Sequence, residues 1–219
     1  MISVKQVFLV GEGKTELGSW ANEPERQDDS SPGILKTLLR KVKETGWEIK
    51  AARRWKSVGK DSKVKPIRRY RTGIHLKPEE QTIRGACLLA KEKGCEIIAF
   101  SRDIDGDSDY NKNRKRDIES GILKVSEDYP EIKIIGGCAR PTIEGWILAF
   151  AGVRGTETYS KDKANEKLAV KLSEQGFPSQ STQVLVEFMQ SYNRADVAED
   201  AICLIQWLDS AEKILKLHK

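Results

Sequence analysis

Short apolar runs alternate with segments of helical periodicity along the first two thirds of the chain. Residues 4–10, 95–100 and 132–135 are runs of mostly apolar side chains, and residues 47–55 alternate loosely between apolar and polar. Runs of this length, bounded by glycine or polar residues, are typical of strands that are covered on both faces of a parallel sheet. The pattern therefore predicts four strands.

Helical segments separate these strands. Apolar residues recur at helical spacing between residues 34 and 42, Pro78 followed by two glutamates favours a helix start, and residues 109–128 carry a thin apolar stripe. The resulting order, β-α-β-α-β-α-β, predicts an α/β fold, a Rossmann-like parallel four-stranded sheet with flanking helices. The last third reads as helical. We expect one domain over residues 1–150, with a basic insertion at about 50–75, and a helical part over 151–219 packed on it.

Composition narrows the class of protein. The 219 residues include 32% charged and 38% hydrophobic ones, and no apolar run is long enough to span a bilayer. The first residues show no signal-peptide pattern, so we expect a cytoplasmic protein without membrane contact. The four cysteines form no C-x-x-C pair and only two histidines occur, which argues against a structural zinc site.

Positive charge is concentrated in one stretch. Ten lysines and arginines lie between residues 50 and 71, opposed only by Asp61, and Trp55 and Tyr70 lie among them. Basic and aromatic side chains together favour nucleic-acid binding, although a solvated insertion or docking to an acidic protein fits the composition too. The residues predicted to bind nucleic acid are Arg53, Arg54, Lys56, Arg68, Arg69 and Arg71.

Acidic residues follow two of the predicted strands. Glu12 and Glu16 come after the first strand, and Asp103, Asp105 and Asp107 come after the third. Sites in open α/β sheets form at the carboxyl ends of the strands, so these carboxylates are expected to converge. Crowded carboxylates repel one another, and a divalent cation, Mg²⁺ or Mn²⁺, relieves that repulsion. The five residues are therefore predicted metal ligands.

Three known motifs share part of this sequence pattern. A phosphate-binding P-loop is excluded because Phe8 stands where its first glycine is needed. An EF-hand is excluded because Ser108 and Arg114 occupy its glycine and glutamate positions. The Asp-x-Asp-Gly sequence at Asp103 also resembles the dehalogenase-type phosphatases, in which the first Asp is a nucleophile, and this alternative stays open.

The acidic motifs resemble those of the Toprim domain, in which one strand ends in a glutamate within a glycine-containing turn and a later strand ends in Asp-x-Asp. Glu12 matches the first motif, and Asp103 and Asp105 match the second. The stretch from Glu12 to Glu16 is similar to small bacterial Toprim proteins and to the nuclease part of overcoming-lysogenization-defect proteins. Residues 141–146 resemble the Glu-x-Trp segment of domain of unknown function family 4276. The resemblance covers roughly residues 1–150.

This resemblance implies a divalent-metal-dependent nuclease that hydrolyses phosphodiester bonds, as a phage-defence effector with an ATPase partner. Asp103 and Asp105 would bind a first metal, Glu12 would bind metal or orient the attacking water, and Lys14 would neutralise charge on the phosphate. DNA is the preferred expected substrate over RNA. The alternatives are a non-catalytic subunit that binds nucleic acid or an ATPase, and the dehalogenase-type phosphatase.

Overall fold

The computed structural model describes residues 4–22, 31–62, 77–104 and 109–216, without the side chains of residues 109–112. The strands are β1 (Lys5–Gly11), β2 (Trp47–Arg54), β3 (Ile97–Asp103) and β4 (Lys133–Ala139). The helices of the first two thirds are α1 (Lys14–Leu17), α2 (Ile34–Val42), α3 (Trp55–Asp61), α4 (Pro78–Glu92), α5 (Asp109–Asp128) and α6 (Ile143–Phe150). The remaining α-helices are α7 (Lys161–Glu174), α8 (Thr182–Gln190) and α9 (Ile202–Lys216).

All four strands are parallel and lie in the order β2-β1-β3-β4. The register pairs Gly11 with Arg54 and Asp103 with Ala139, so neighbouring strands end at nearly the same level. The polypeptide leaves every strand at one edge of the sheet, which we call the carboxyl edge. This topology confirms the predicted α/β fold class.

Each strand buries side chains on both faces of the sheet. In β1, Val7 and Leu9 enter one hydrophobic cluster, while Phe8 and Val10 enter a second cluster on the opposite face. Successive side chains of a strand point to opposite faces, so an apolar run is needed where both faces are covered. Helices α3, α4 and α5 pack on the Phe8 face, and α2 and α6–α9 contribute to the cluster on the Val7 face.

The C-terminal helices pack directly on the sheet. The indole Nε1 of Trp207 in α9 donates a hydrogen bond of 2.8 Å to the carbonyl oxygen of Phe100 in β3, and its ring lies 6.0 Å from that of Trp146. Gly136 in β4 permits the close packing of Phe100, because a Cβ there would lie 2.2 Å from the phenyl ring. Residues 151–216 therefore share one core with the sheet, and the expected domain boundary at residue 150 stays a prediction.

The first part of the basic stretch belongs to regular elements. Residues up to Arg54 lie in the predicted second strand, β2, and the next seven form α3, while the basic insertion expected at about 50–75 stays a prediction. Residues 63–76 lie outside the described part of the chain. Among the described residues, no helix combines the length and the apolarity that crossing a bilayer requires.

Candidate functional site

Four carboxyl groups meet at the carboxyl edge of the sheet. Glu12 directly follows β1, Glu16 lies in α1, Asp103 is the last residue of β3, and Glu144 lies in the first turn of α6, after β4. Glu12, Glu16 and Glu144 all act electrostatically on Asp103. We call these four residues the acidic cluster.

Asp103 is held by the start of α6. Its Oδ1 atom accepts a hydrogen bond of 3.0 Å from the backbone N–H of Ile143. Burial raises the pKa of the Asp103 carboxyl to about 8, and the negative charges of the other three carboxyl groups add to this effect, while Lys161 opposes it. Negative charge at Asp103 is therefore costly unless a cation offsets it.

Glu16 is buried, with 3% of its surface exposed. Its Oε2 atom accepts a hydrogen bond of 3.0 Å from the backbone N–H of Gly13, which closes the turn after β1. Burial raises the pKa of Glu16, aided by the charges of Glu12 and Glu144 and opposed by backbone hydrogen bonds. The backbone of Gly33 packs closely against that of Glu16, since a Cβ at Gly33 would lie 2.2 Å from the carbonyl oxygen of Glu16. This close packing helps to fix the position of Glu16.

Arg102 was missed by the sequence analysis. Its guanidinium forms an ion pair with Glu12 and lies 3.4 Å from Oε1 of Glu79 in α4. It also lies over the ring of Trp55, 5.5 Å from the ring centroid. Arg114 approaches the same carboxylate of Glu79, with Nε 3.1 Å from Oε1. The sequence signal that could have indicated the ion pair of Arg102 with Glu12 is a charged residue at the end of an apolar strand.

The described basic residues lie at the end of β2 and in the helix that follows it. Arg53 and Arg54 end β2, where the register sets Arg54 opposite Gly11. Both side chains make internal contacts: Arg53 pairs with Asp61 at 2.9 Å, and Nε of Arg54 donates a 3.0 Å hydrogen bond to the carbonyl oxygen of Ala21. Lys56 in α3 is exposed.

The other predicted site residues fall into two groups. Lys14, predicted to neutralise charge on a phosphate, is exposed at the first position of α1. Outside the described residues lie Asp105, Asp107, Arg68, Arg69 and Arg71.

The acidic cluster suits a divalent cation by its chemistry. Carboxylate oxygens are the ligands that Mg²⁺ and Mn²⁺ prefer. The buried Oγ1 atom of Thr142, the residue before the Ile143 N–H that binds Asp103, has no hydrogen-bond partner. Within the described ranges, however, no three His, Cys, Asp or Glu side chains are placed so that they could hold a metal ion. The carboxylate oxygens are suitable ligands for Mg²⁺ or Mn²⁺, but the described side chains alone do not form a complete coordination shell.

The chain was compared with known proteins at the levels of sequence and structure. No family model and no curated protein matches the chain. Among solved structures, the chain is similar to a single-substitution mutant of an acetyl-xylooligosaccharide esterase from Geobacillus Stearmophilus, with 16% identity and a TM-score of 0.40. The match covers 80% of this chain and 96% of the esterase chain.

The predicted metal-dependent nuclease is corrected by these findings. The solved structure that this chain resembles is that of an esterase, not of a nuclease. In the site itself, the Glu12 carboxylate, which was to bind metal or orient the attacking water, is held in an ion pair by Arg102. The prediction of a nuclease is therefore wrong.

Proposed function

We propose that the carboxyl edge of the sheet binds a divalent cation, Mg²⁺ or Mn²⁺, and through it the phosphates of nucleic acid, with DNA preferred over RNA. The convergence of the four carboxyl groups of the acidic cluster carries this proposal. A bound cation would neutralise the cluster and bridge it to phosphate oxygens. The proposal concerns binding and includes no cleavage step.

Asp103 is assigned as the main ligand of the cation, and water molecules complete the coordination that the described side chains leave open. Asp103, Glu16 and Glu144 repel one another across the carboxyl edge, which supports a cation between them. The fourth, Glu12, is already neutralised by Arg102. The Toprim resemblance, which implies Mg²⁺ at Asp103, supports the same cofactor.

The basic residues at the end of β2 support the nucleic-acid partner. Arg53 and Arg54 lie at the same edge as Gly11, and the exposed Lys56 follows them in α3. Lysine and arginine side chains that contact phosphates release counterions, so binding through them weakens as salt rises. In this proposal Lys56 binds the phosphate backbone, while the two arginines shape the edge through their internal contacts.

The test is fluorescence anisotropy of short labelled single-stranded and double-stranded DNA, with RNA of the same sequence for comparison. We expect binding with Mg²⁺ or Mn²⁺ that is lost in EDTA and in the Asp103→Asn variant. Lys56→Gln should weaken binding several-fold and reduce its salt dependence, whereas Lys167→Gln, at an exposed position on α7, should not. Equal binding with and without a divalent cation would reject the proposal.

A further inference from the structure

A small cavity lies beside the edge strand β4, between α5 and α9. Its volume is about 70 Å³, roughly what two water molecules occupy in the liquid. Residues of α5, β4 and α9 line it, and since Glu119 and Gln206 among them are exposed, the cavity is open to solvent on their side. Two of the four cysteines, Cys138 and Cys203, share its wall.

The thiol of Cys203 lies between a carboxylate and an ammonium group. Glu157, in the turn before α7, accepts a hydrogen bond of 2.6 Å from the backbone N–H of Cys203 through Oε1, and its Oε2 atom lies 3.6 Å from Sγ. Nζ of Lys115 in α5 lies 3.9 Å from the same sulfur atom. The backbone hydrogen bond therefore holds a proton acceptor at the thiol, and the ammonium group stabilises the thiolate that forms when the proton leaves.

Cys138 is the second thiol at this cavity. A Cβ at Gly137, its neighbour in β4, would lie 3.4 Å from the side chain of Trp207, one helical turn beyond Cys203, so β4 and α9 are in direct contact at this level. Burial raises the pKa of Cys138, and the charge of Cys203 adds to this effect, which puts the two thiols within electrostatic reach of each other. An oxidised Cys203 therefore has a second thiol beside it.

The charges around Cys203 set the pH at which it can react. Burial raises the pKa of its thiol to about 11 and Glu157 adds to this effect, whereas Lys115 and Arg140 lower the pKa. Only the thiolate is a good nucleophile, so oxidation of Cys203 should be slow at pH 7. Its rate should rise about tenfold per pH unit up to pH 9, because the thiolate fraction rises by that factor below the pKa.

From this arrangement we infer that Cys203 and Cys138 form a thiol pair that hydrogen peroxide oxidises to a disulfide. The sulfur of Cys203 attacks one peroxide oxygen, Glu157 passes the thiol proton to the departing hydroxide, and water leaves a sulfenic acid on Cys203. The sulfur of Cys138 then attacks that of Cys203, the S–O bond breaks, and the departing hydroxide takes the Cys138 proton as a second water. The peroxide accepts the two electrons that the thiols lose. No residue of the acidic cluster takes part, so the inference is independent of the proposed cation site.

The test is peptide mapping of the full chain by mass spectrometry, without reductant, after exposure to hydrogen peroxide. We expect a peptide that joins Cys138 to Cys203, forms about tenfold faster at pH 9 than at pH 8, and is lost when dithiothreitol is added. A bulky aromatic disulfide reagent, which is too large for a cavity of about 70 Å³, should modify neither thiol in the folded protein. Absence of the joined peptide, or equal oxidation of Cys87 and Cys95, would overturn the inference.

Variants separate the roles of the two thiols. Cys138→Ala should leave a sulfenic acid on Cys203 that dimedone captures, and Cys203→Ala should leave none on Cys138. Lys115→Met should slow oxidation by roughly threefold to tenfold, whereas Arg116→Met, at the next position of α5, should not, because Arg116 bonds Asn113 instead. Circular dichroism checks that each variant is folded, and if a cysteine variant unfolds, the map of the unchanged protein decides. A sulfenic acid on Cys138 in Cys203→Ala, or an unchanged rate in Lys115→Met, would contradict these roles.

Discussion

The guanidinium of Arg102 is paired with the carboxylate of Glu12 across the carboxyl ends of two adjacent strands, β3 and β1. Arg102 therefore supplies, from within the chain, positive charge to a site whose other carboxyl groups repel one another. It also reaches Glu79 and the ring of Trp55, which hold its side chain in place. The pair sets how much negative charge the acidic cluster presents to a cation.

Removing this arginine should strengthen cation binding. In Arg102→Gln the Glu12 carboxylate loses its counter-ion, so we expect the affinity for Mn²⁺ to rise several-fold while the free energy of unfolding falls by about 1–3 kcal/mol. Calorimetric titration and urea denaturation measure the two effects. Arg84→Gln is the matched control, since Arg84 is 17% exposed against 16% for Arg102 and pairs with Asp128 away from the site. An unchanged or lower Mn²⁺ affinity in Arg102→Gln would contradict this role.

The stability of the metal-free protein should depend on Asp103 in a defined pH window. Its carboxyl titrates near pH 8 when folded, against an ordinary pKa of 3.8. Between these values the unfolded chain has released a proton that the folded chain keeps, so the free energy of unfolding falls as pH rises. Asp103→Asn removes this dependence and should stabilise the protein by roughly 1–4 kcal/mol at pH 8 and hardly at all near pH 4.

The measurement is thermal or urea unfolding of both proteins in EDTA across that range. The Asn side chain can still accept the hydrogen bond from Ile143, so the comparison isolates the charge. A stability difference that does not change between pH 4 and pH 8 would show that Asp103 ionises normally.

Two glutamates of similar local geometry should respond oppositely to the same substitution. Glu16 and Glu80 each accept a backbone hydrogen bond of 3.0 Å from the residue three positions earlier, and both are buried. Burial tends to raise the pKa of both, but hydrogen bonds from Lys124, Lys77 and Ser120 outweigh it at Glu80 and lower that pKa. At Glu16 the pKa stays raised.

Glu80→Gln should therefore cost about 1–3 kcal/mol of stability at pH 7, because it removes a carboxylate that accepts a 2.8 Å hydrogen bond from Lys124. This cost should shrink as pH falls through the lowered pKa of Glu80. Glu16→Gln should cost less than about 1 kcal/mol or stabilise the metal-free protein. Urea denaturation of both variants decides, and equal losses at pH 7 would contradict the assigned charge environments.

The close approach of Gly33 to α1 should be sensitive to a single methyl group. A Cβ there would lie 2.2 Å from the carbonyl oxygen of Glu16, so Gly33→Ala should displace the turn and cost about 1–3 kcal/mol. Gly59→Ala is the control, because nothing lies within 4 Å of its Cβ position in α3, and it should stabilise by about 0.5–1 kcal/mol. Comparable effects of the two substitutions on thermal unfolding would argue against the contact.

The sequence was informative where a local pattern determines structure. The strands could be predicted because β1 and β3 are buried on both faces and are therefore continuously apolar. The meeting of Glu12 and Asp103 at one edge followed from strand direction alone.

Other features depend on register and side-chain direction, which no local pattern encodes. The ion pair of Arg102 with Glu12 joins residues 90 positions apart, and the hydrogen bond from Trp207 to Phe100 joins residues 107 positions apart. Strand β2 could be predicted from its alternation despite its charges, since the buried Trp47 and Ile49 alternate with the exposed Glu48 and Lys50. An edge strand tolerates such charges.

The central claim is that the acidic cluster binds a divalent cation, and calorimetric titration of Mn²⁺ and Mg²⁺ into the metal-free protein tests it most directly. We predict one saturable site that Asp103→Asn abolishes and Glu144→Gln weakens about tenfold. Asp162→Asn, at an exposed position in α7, should bind as the unchanged protein does. Absence of saturable binding, or equal affinity in Asp103→Asn, would contradict the claim.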